Sequence, residues 1–321
     1  MSNYYFTVER PGIHTTFQDS GYQCLQHFGI TTGGVVDNNL FQIANKLLGN
    51  KLNETIIEFA YQGPRLRLDK GNAHIVITGD VHFMISKQSE DFIEKPGETF
   101  KTYQLNEGDI VDILATKSSV YGYCGVEGGF NINKYNNSGS TLVRSAIGPN
   151  KGKCLQEDQL VKFNLESSNK NLKQLSYFSN YKDNIINVLE GPQINFFSNK
   201  TINNFFKKTF KISNNTDRMG IRLEGNKILS NKSSNIPSEG IIKGSVQVPG
   251  DGNPIVLMVD HPTIGGYPKI ATVILNDIAK LAHISVGKEI RFQKVSIETA
   301  EKLCDENEKY FNKLFQSIIA I

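Results

Sequence analysis

Apolar residues fall mostly in short runs that alternate with polar ones and stop at Gly, Asp or Asn, as in strands joined by turns. Ala73 to Thr78 is one such run, halted by Gly79-Asp80, and Val81 to Ser86 resumes it with alternation, which predicts a hairpin. One phrase recurs. Leu105 to Ile113, Leu155 to Phe163 and Ile284 to Phe292 each place a turn of Gly, Asp or Glu before a strand with alternating apolar residues. Such a strand has one face in a core and one in water. Its recurrence in both halves predicts barrel-like β construction twice over, at spacings of 50 and 129 residues that are too irregular for a solenoid.

Helical spacing is rarer. Asp37 can cap a short helix carrying Leu40, Ile43, Ala44, Leu47 and Leu48, with Gly49-Asn50 as its exit. Ser296 precedes a stripe of Ala300, Leu303, Tyr310, Phe311, Leu314, Phe315, Ile318 and Ile319, an amphipathic C-terminal helix that packs on the core or faces a partner. Apolar periodicity is lost between 164 and 184. The expected division is therefore a β-barrel-like half over 1–163, a linker over 164–184 and a second β half with the terminal helix over 185–321. Gly225 to Pro237 reads as an exposed loop inside that second half. The fold class is all-β with few short helices.

Composition narrows the function more than the fold. With 35 basic and 32 acidic residues in 321, the net charge of +3 argues against a nucleic-acid binder. The four cysteines, at 24, 124, 154 and 304, form no Cys-x-x-Cys pair and no grouping with His at metal-ligand spacing, so free thiols and no metal are expected. No signal-like start or membrane-length apolar run occurs, which points to the cytoplasm. Only 7 of the basic residues are Arg, so their placement carries information.

Three glycine-rich segments carry candidate chemistry. Glu9 to Gly21, with Gly33, Gly34 and Asp37, has no phosphate-binding signature and reads equally well as a set of turns. Asp217 to Gly225 holds Arg218 and Arg222, whose guanidinium groups suit a substrate carboxylate or an ion pair with Glu224 or Asp217. The third is the densest. Ile255 to Val259 reads as a buried strand delivering Asp260-His261 at its end, with Thr263, Gly265, Gly266, Tyr267 and Lys269 close behind. His261 alone suits a structural role; in this company it suits a pocket. Hydrolase elbows and zinc-enzyme motifs are absent from the sequence.

Taken in order, Arg10-Pro-Gly-x-x-Thr-Thr-x-Gln-Asp-x-Gly21, Gly33-Gly-x-x-Asp37, Ala44-Asn-x-Leu-x-Gly-Asn50, Arg218-Met-Gly-x-Arg-Leu-x-Gly225, Ser238-Glu-Gly-Ile241, Gln247-Val-Pro-x-Asp-Gly-x-Pro254 and Gly265-Gly-Tyr-Pro-Lys269 resemble the biotin-dependent carboxyltransferase family. That family includes the C subunits of 5-oxoprolinase, also called allophanate hydrolase subunit 2 or KipI antagonist. The resemblance covers residues 5 to about 296. Tyr22 stands where the family commonly has Arg, and the Gly-Ser-x-Ser-Thr region is reduced to Ser138-Gly-Ser-Thr141.

The resemblance implies cyclophilin-like β-barrel halves and a part in an ATP-dependent complex that opens 5-oxo-L-proline to L-glutamate. The implied partners are the A and B subunits of 5-oxoprolinase, the B subunit being KipI-like. No cofactor is expected on this chain: ATP is used by the complex, and biotin enters only if the chain is instead a urea-type carboxyltransferase component. A non-catalytic regulatory partner of a KipI-like protein is the other alternative. For the lactam reaction Asp260, His261 and Lys269 are the candidate catalytic residues. Arg218, Arg222, Gln247, Thr263, Gly265, Gly266, Tyr267, Gln18, Asp19 and Asp37 are the candidate substrate-binding ones, with the backbone N–H groups around Gly265-Gly266 suited to a developing oxyanion.

Overall fold

The computed structural model describes residues 4–164, 171–175 and 183–321. The chain forms two compact units, one of residues 1–22, 37–180 and 311–321, the other of 23–36 and 181–310. Of the expected linker, 165–170 and 176–182 lie outside the described residues, whereas Lys173–Leu175 is a strand paired with Ile318–Ala320.

The first unit is built on two sheets. Strands Leu160–Lys162, Tyr5–Arg10, Arg65–Lys70, Ile110–Thr116, Val81–Ser86 and Glu94–Pro96 bond in that order; Thr16–Gln18, Ile56–Ala60, Tyr121–Val126, Ala73–Thr78 and Thr102–Leu105 form the other sheet. Their buried residues, among them Phe6, Val8, Phe59, Leu66, Ile77, Phe83 and Val111, make one core. Helix Asn38–Leu48 covers the outer face of Ala73–Thr78, so Val76 is buried as fully as Ile75 and Ile77. Asp37 caps this helix as expected, its carboxylate accepting the N–H groups of Asn39 and Leu40.

The predicted hairpin is not one. Thr78 pairs with Tyr123 in one sheet and Val81 with Thr116 in the other, so Gly79-Asp80 turns a corner between sheets. Gly79 has φ +111°, and a Cβ there would lie 3.2 Å from the Tyr121 carbonyl oxygen. A turn residue between two apolar runs marks a reversal without saying whether the runs pair or cross. The outer face of the six-stranded sheet takes up three of the seven arginines. Asp112 accepts from Arg10 at 2.6 Å and Arg65 at 2.7 Å, while Glu9 joins Arg65 and Arg67.

The second unit is a closed barrel. Its seven strands run Ile185–Glu190, Lys269–Val273, Ser245–Gln247, Ile255–Leu257, Gly220–Gly225, Phe210–Ile212 and Glu289–Lys294, and the last closes on the first in parallel. Alternation sends Ile186 and Val188, Ile221 and Leu223, and Ile290 and Phe292 inward. All three copies of the recurrent phrase are turn-then-strand, as read.

Helices Asn199–Lys207 and Leu275–His283 add to the two expected ones. The first begins at Ser198, whose hydroxyl accepts from the Thr201 N–H, and sets Phe205 in a stack with Phe292 at 4.6 Å. Its remaining residues are mostly polar, which hides its period. The C-terminal helix spans Ile297–Gln316 and stops short of Ile318 and Ile319, which belong to a strand instead. No helix among the described residues is long and apolar enough to cross a membrane.

Candidate functional site

The densest glycine segment folds into a short ribbon on the barrel unit. Glu239–Gly240 pairs antiparallel with Ile264–Gly265, and the Ile241 N–H extends the pairing to the Thr263 carbonyl at 3.2 Å. Polar side chains gather at both ends of this ribbon.

At one end Lys269, 4% exposed, forms an ion pair with Glu239. Gln193 ties the two together: its Nε2 donates to Glu239 at 2.8 Å, and its Oε1 accepts the Lys269 N–H at 3.1 Å. The bonds from Lys269 and then Gln193 hold the Glu239 carboxyl below its ordinary range. Gln247 lies directly across the barrel sheet from Lys269, so the two side chains share a face. It is buried, and among the described residues its Nε2 has no hydrogen-bond partner. An unmet buried donor costs about 1–3 kcal/mol, which a bound oxygen acceptor would recover. Gly265 makes the space: a Cβ there would stand 2.6 Å from that Nε2.

The other end is built on Arg218. Asp217 accepts the N–H groups of Met219 and Gly220, a turn that sets Arg218 at the head of its strand. The guanidinium, 4% exposed, meets Asp260 through Nε at 2.8 Å and Nη2 at 2.9 Å, and Nη2 also donates to the Gly34 carbonyl at 2.7 Å. The Gly33 N–H donates to the Val259 carbonyl at 3.0 Å. The Gly33-Gly34 motif from the N-terminal part of the sequence is thereby fastened to the loop that carries Asp260.

His261 follows, 4% exposed. Its Nδ1 lies 2.6 Å from the Pro262 carbonyl oxygen, an acceptor, so Nδ1 carries a proton and Nε2 of the neutral ring presents a lone pair. Burial pushes the imidazole below its ordinary pKa; the Pro262 bond and Asp260 oppose this, and the charge of Lys243 adds to it. Lys243, half-buried, stands two residues beyond the Ile241 rung, as His261 stands two residues before Thr263. Burial, and then the Arg218 charge, press its ammonium pKa down.

The ribbon therefore collects Arg218, Asp260 and His261 at one end and Gln247, Gly265 and Lys269 at the other, with Thr263 between. Arg218 forms an ion pair with Asp260, and Glu224 accepts from Ser213. Arg222 alternates outward between buried Ile221 and Leu223 and is exposed on the barrel wall. Tyr267 is 39% exposed, and the Gly266 carbonyl accepts from Ile236.

Gln18, Asp19 and Asp37 belong to the first unit and bond to its own chain there. The Asp19 carboxylate accepts from Gly21 and Gly139 N–H groups and the hydroxyls of Ser138 and Ser140. Gln18 Nε2 donates to Thr16 and to the Thr141 carbonyl, while Asp37 caps its helix. Tyr22 is buried and donates to the Ser140 carbonyl at 2.6 Å; burial, then Asp19, raises its phenol far above the ordinary value.

Sequence reasoning passes over Gln193, Glu239, Lys243 and Gly34 as site residues. Glu239 and Gly34 stand inside quoted motifs, and Lys243 stands between two of them. Gln193 carries no signal.

Residues 28–294 match the family model described as the carboxyltransferase domain, subdomain A and B. The chain belongs to this carboxyltransferase family. Over 302 residues it is 33% identical to the C subunit of 5-oxoprolinase from Haemophilus influenzae, covering 93% of this chain and 94% of that one. It is 29% identical to the C subunit of 5-oxoprolinase from Escherichia coli over 313 residues, 96% of each chain. The crystal structure of the Kluyveromyces lactis urea amidolyase shares the fold, with a TM-score of 0.85 at 23% identity over 97% of this chain and 20% of that larger one.

Proposed function

We propose that this carboxyltransferase-family chain is the C subunit of an ATP-dependent 5-oxoprolinase, acting with A and B subunits to open 5-oxo-L-proline to L-glutamate. The observation that carries this reading is the near full-length kinship with two proteins of that name. ATP is handled by the partner subunits, since no phosphate-cradling loop occurs in this sequence.

The chemistry asked of the ribbon is hydrolysis of a five-membered lactam. Water adds to the ring carbonyl carbon, the C–N bond breaks, and the leaving nitrogen takes a proton. His261 suits the first step: a neutral imidazole with Nε2 unprotonated accepts the proton of the attacking water and later returns one to nitrogen. Asp260 serves as a positioning group, held by Arg218 one residue from that base. The unmet Gln247 Nε2, flanked by Gly265 and Lys269, supplies a neutral donor for an oxygen. Exposed Ile242 and Ile264, at 63% and 61%, suit burial against one of the other chains.

The test is reconstitution with the A and B subunits encoded in the same genome, assayed for glutamate release from 5-oxo-L-proline. The complex is expected to turn over only with all three chains and ATP, and His261→Asn to lower kcat by about 100-fold or more. Turnover by this chain alone, or none by the complete complex, overturns the reading.

A further inference from the structure

Val259, Asp260 and His261 follow the strand Ile255–Leu257 and lie beyond its ladder, so other bonds must set their place. The Asp260 N–H donates to the Arg218 carbonyl at 2.9 Å, and the His261 N–H to the Met258 carbonyl at 3.2 Å. The Val259 carbonyl is held from elsewhere. It accepts the Gly33 N–H at 3.0 Å and the Thr31 hydroxyl at 3.3 Å.

Residues 31–34 come from the N-terminal part of the sequence but belong to the barrel unit. They form neither helix nor strand, yet Thr31, Gly33 and Gly34 are buried. Gly33 and Gly34 are both left-handed, at φ +59° and +82°, a pair of conformations in which a Cβ would crowd the backbone. That bend aims the Gly33 N–H at Val259 and the Gly34 carbonyl at Arg218 Nη2, 2.7 Å away. The same Nη2 donates to Asp260 at 2.9 Å. Both residues before His261 are therefore tied to one short strap, Val259 directly and Asp260 through Arg218. A base must stand within a fraction of an ångström of its proton, so what holds this turn governs what the imidazole can do.

We propose that Thr31, Gly33 and Gly34 are positioning residues for His261, acting through the Val259 carbonyl and Arg218. The task assigned to His261 rests on the 5-oxoprolinase reading; the placement of its ring is measurable without it.

The experiment uses the full chain and the reconstituted three-chain complex. Thr31→Val keeps the shape of the side chain and deletes the hydroxyl, while Gly34→Ala places a Cβ at φ +82° and displaces the carbonyl. In the complex each is expected to lower kcat for 5-oxo-L-proline about 10-fold with KM changed by less than about 3-fold, and Thr31→Ser to recover most of the Thr31→Val loss. In the full chain, carbethoxylation by diethyl pyrocarbonate is followed by peptide mass spectrometry. His261 should react about 5-fold faster in Thr31→Val, while His283, 7% exposed in the same unit, keeps its wild-type rate. Unchanged kcat in both variants, no recovery in Thr31→Ser, or equal quickening of both histidines, the mark of a loosened barrel, each overturns the assignment. A wild-type complex that releases no glutamate, with His261 alone quickened in Thr31→Val, would uphold the strap and count against the 5-oxoprolinase reading.

Discussion

Removing the Asp260 carboxylate should damage the barrel before it informs on catalysis. The Arg218 guanidinium, 4% exposed, makes bonds of 2.8 and 2.9 Å to Asp260 and one of 2.7 Å to the Gly34 carbonyl, and Asp260→Leu deletes the first two. The attraction lost at this range is about 4 kcal/mol at an effective dielectric near 20. Stranding one partner of a buried pair costs about 3–5 kcal/mol; with the Asp260 side chain 16% exposed and Gly34 retained, about 3 kcal/mol is expected. For a unit of this size that is a fall of about 10 °C in the barrel transition by scanning calorimetry.

The partner change, Arg218→Met, leaves a carboxylate that water reaches, and should cost about 2 kcal/mol. The double variant strands neither charge of the pair and should recover to within about 1–2 kcal/mol of wild type, a coupling of about 3 kcal/mol. Strictly additive single effects, or an Asp260→Leu barrel as stable as wild type, would refute the closed-pair argument. Loss of turnover in an Asp260 variant therefore identifies a catalytic residue only after that stability term is measured.

Three further outcomes follow from the geometry. Gly265→Ala sets a methyl 2.6 Å from Gln247 Nε2 and should cut glutamate release by the reconstituted complex about 10-fold or more, with the calorimetric midpoint little changed; wild-type turnover would remove that end of the ribbon from the site. Because the folded imidazole of His261 titrates below its ordinary 6.5, the unfolded chain takes up the proton first as pH falls. Stability should decline below pH 6.5 down to the lowered folded pKa, and His261→Gln should lessen that slope in urea titrations at stepped pH. In thiol labelling of the native chain, exposed Cys24 should react promptly and Cys124 only on unfolding, since burial pushes that thiol up to about 12; equal rates would contradict the packing of the first unit.

The elements are legible where one physical signal acts alone. Asp37 before a spaced apolar stripe marks a capped helix, and each turn followed by alternation marks a strand, because capping and pleating are local. Pairing is not local. Ala73–Thr78 and Val81–Ser86 read as a hairpin, yet the choice between pairing and crossing depends on which strand each meets some forty residues later. The same limit governs the site. Residue chemistry singles out Arg218, Asp260, His261, Gln247 and Lys269, but it does not say that Arg218 and Lys269 are spent on carboxylates of the chain itself. Asp260 lies 42 positions from Arg218 and Glu239 lies 30 from Lys269, so no short window of sequence displays either pair.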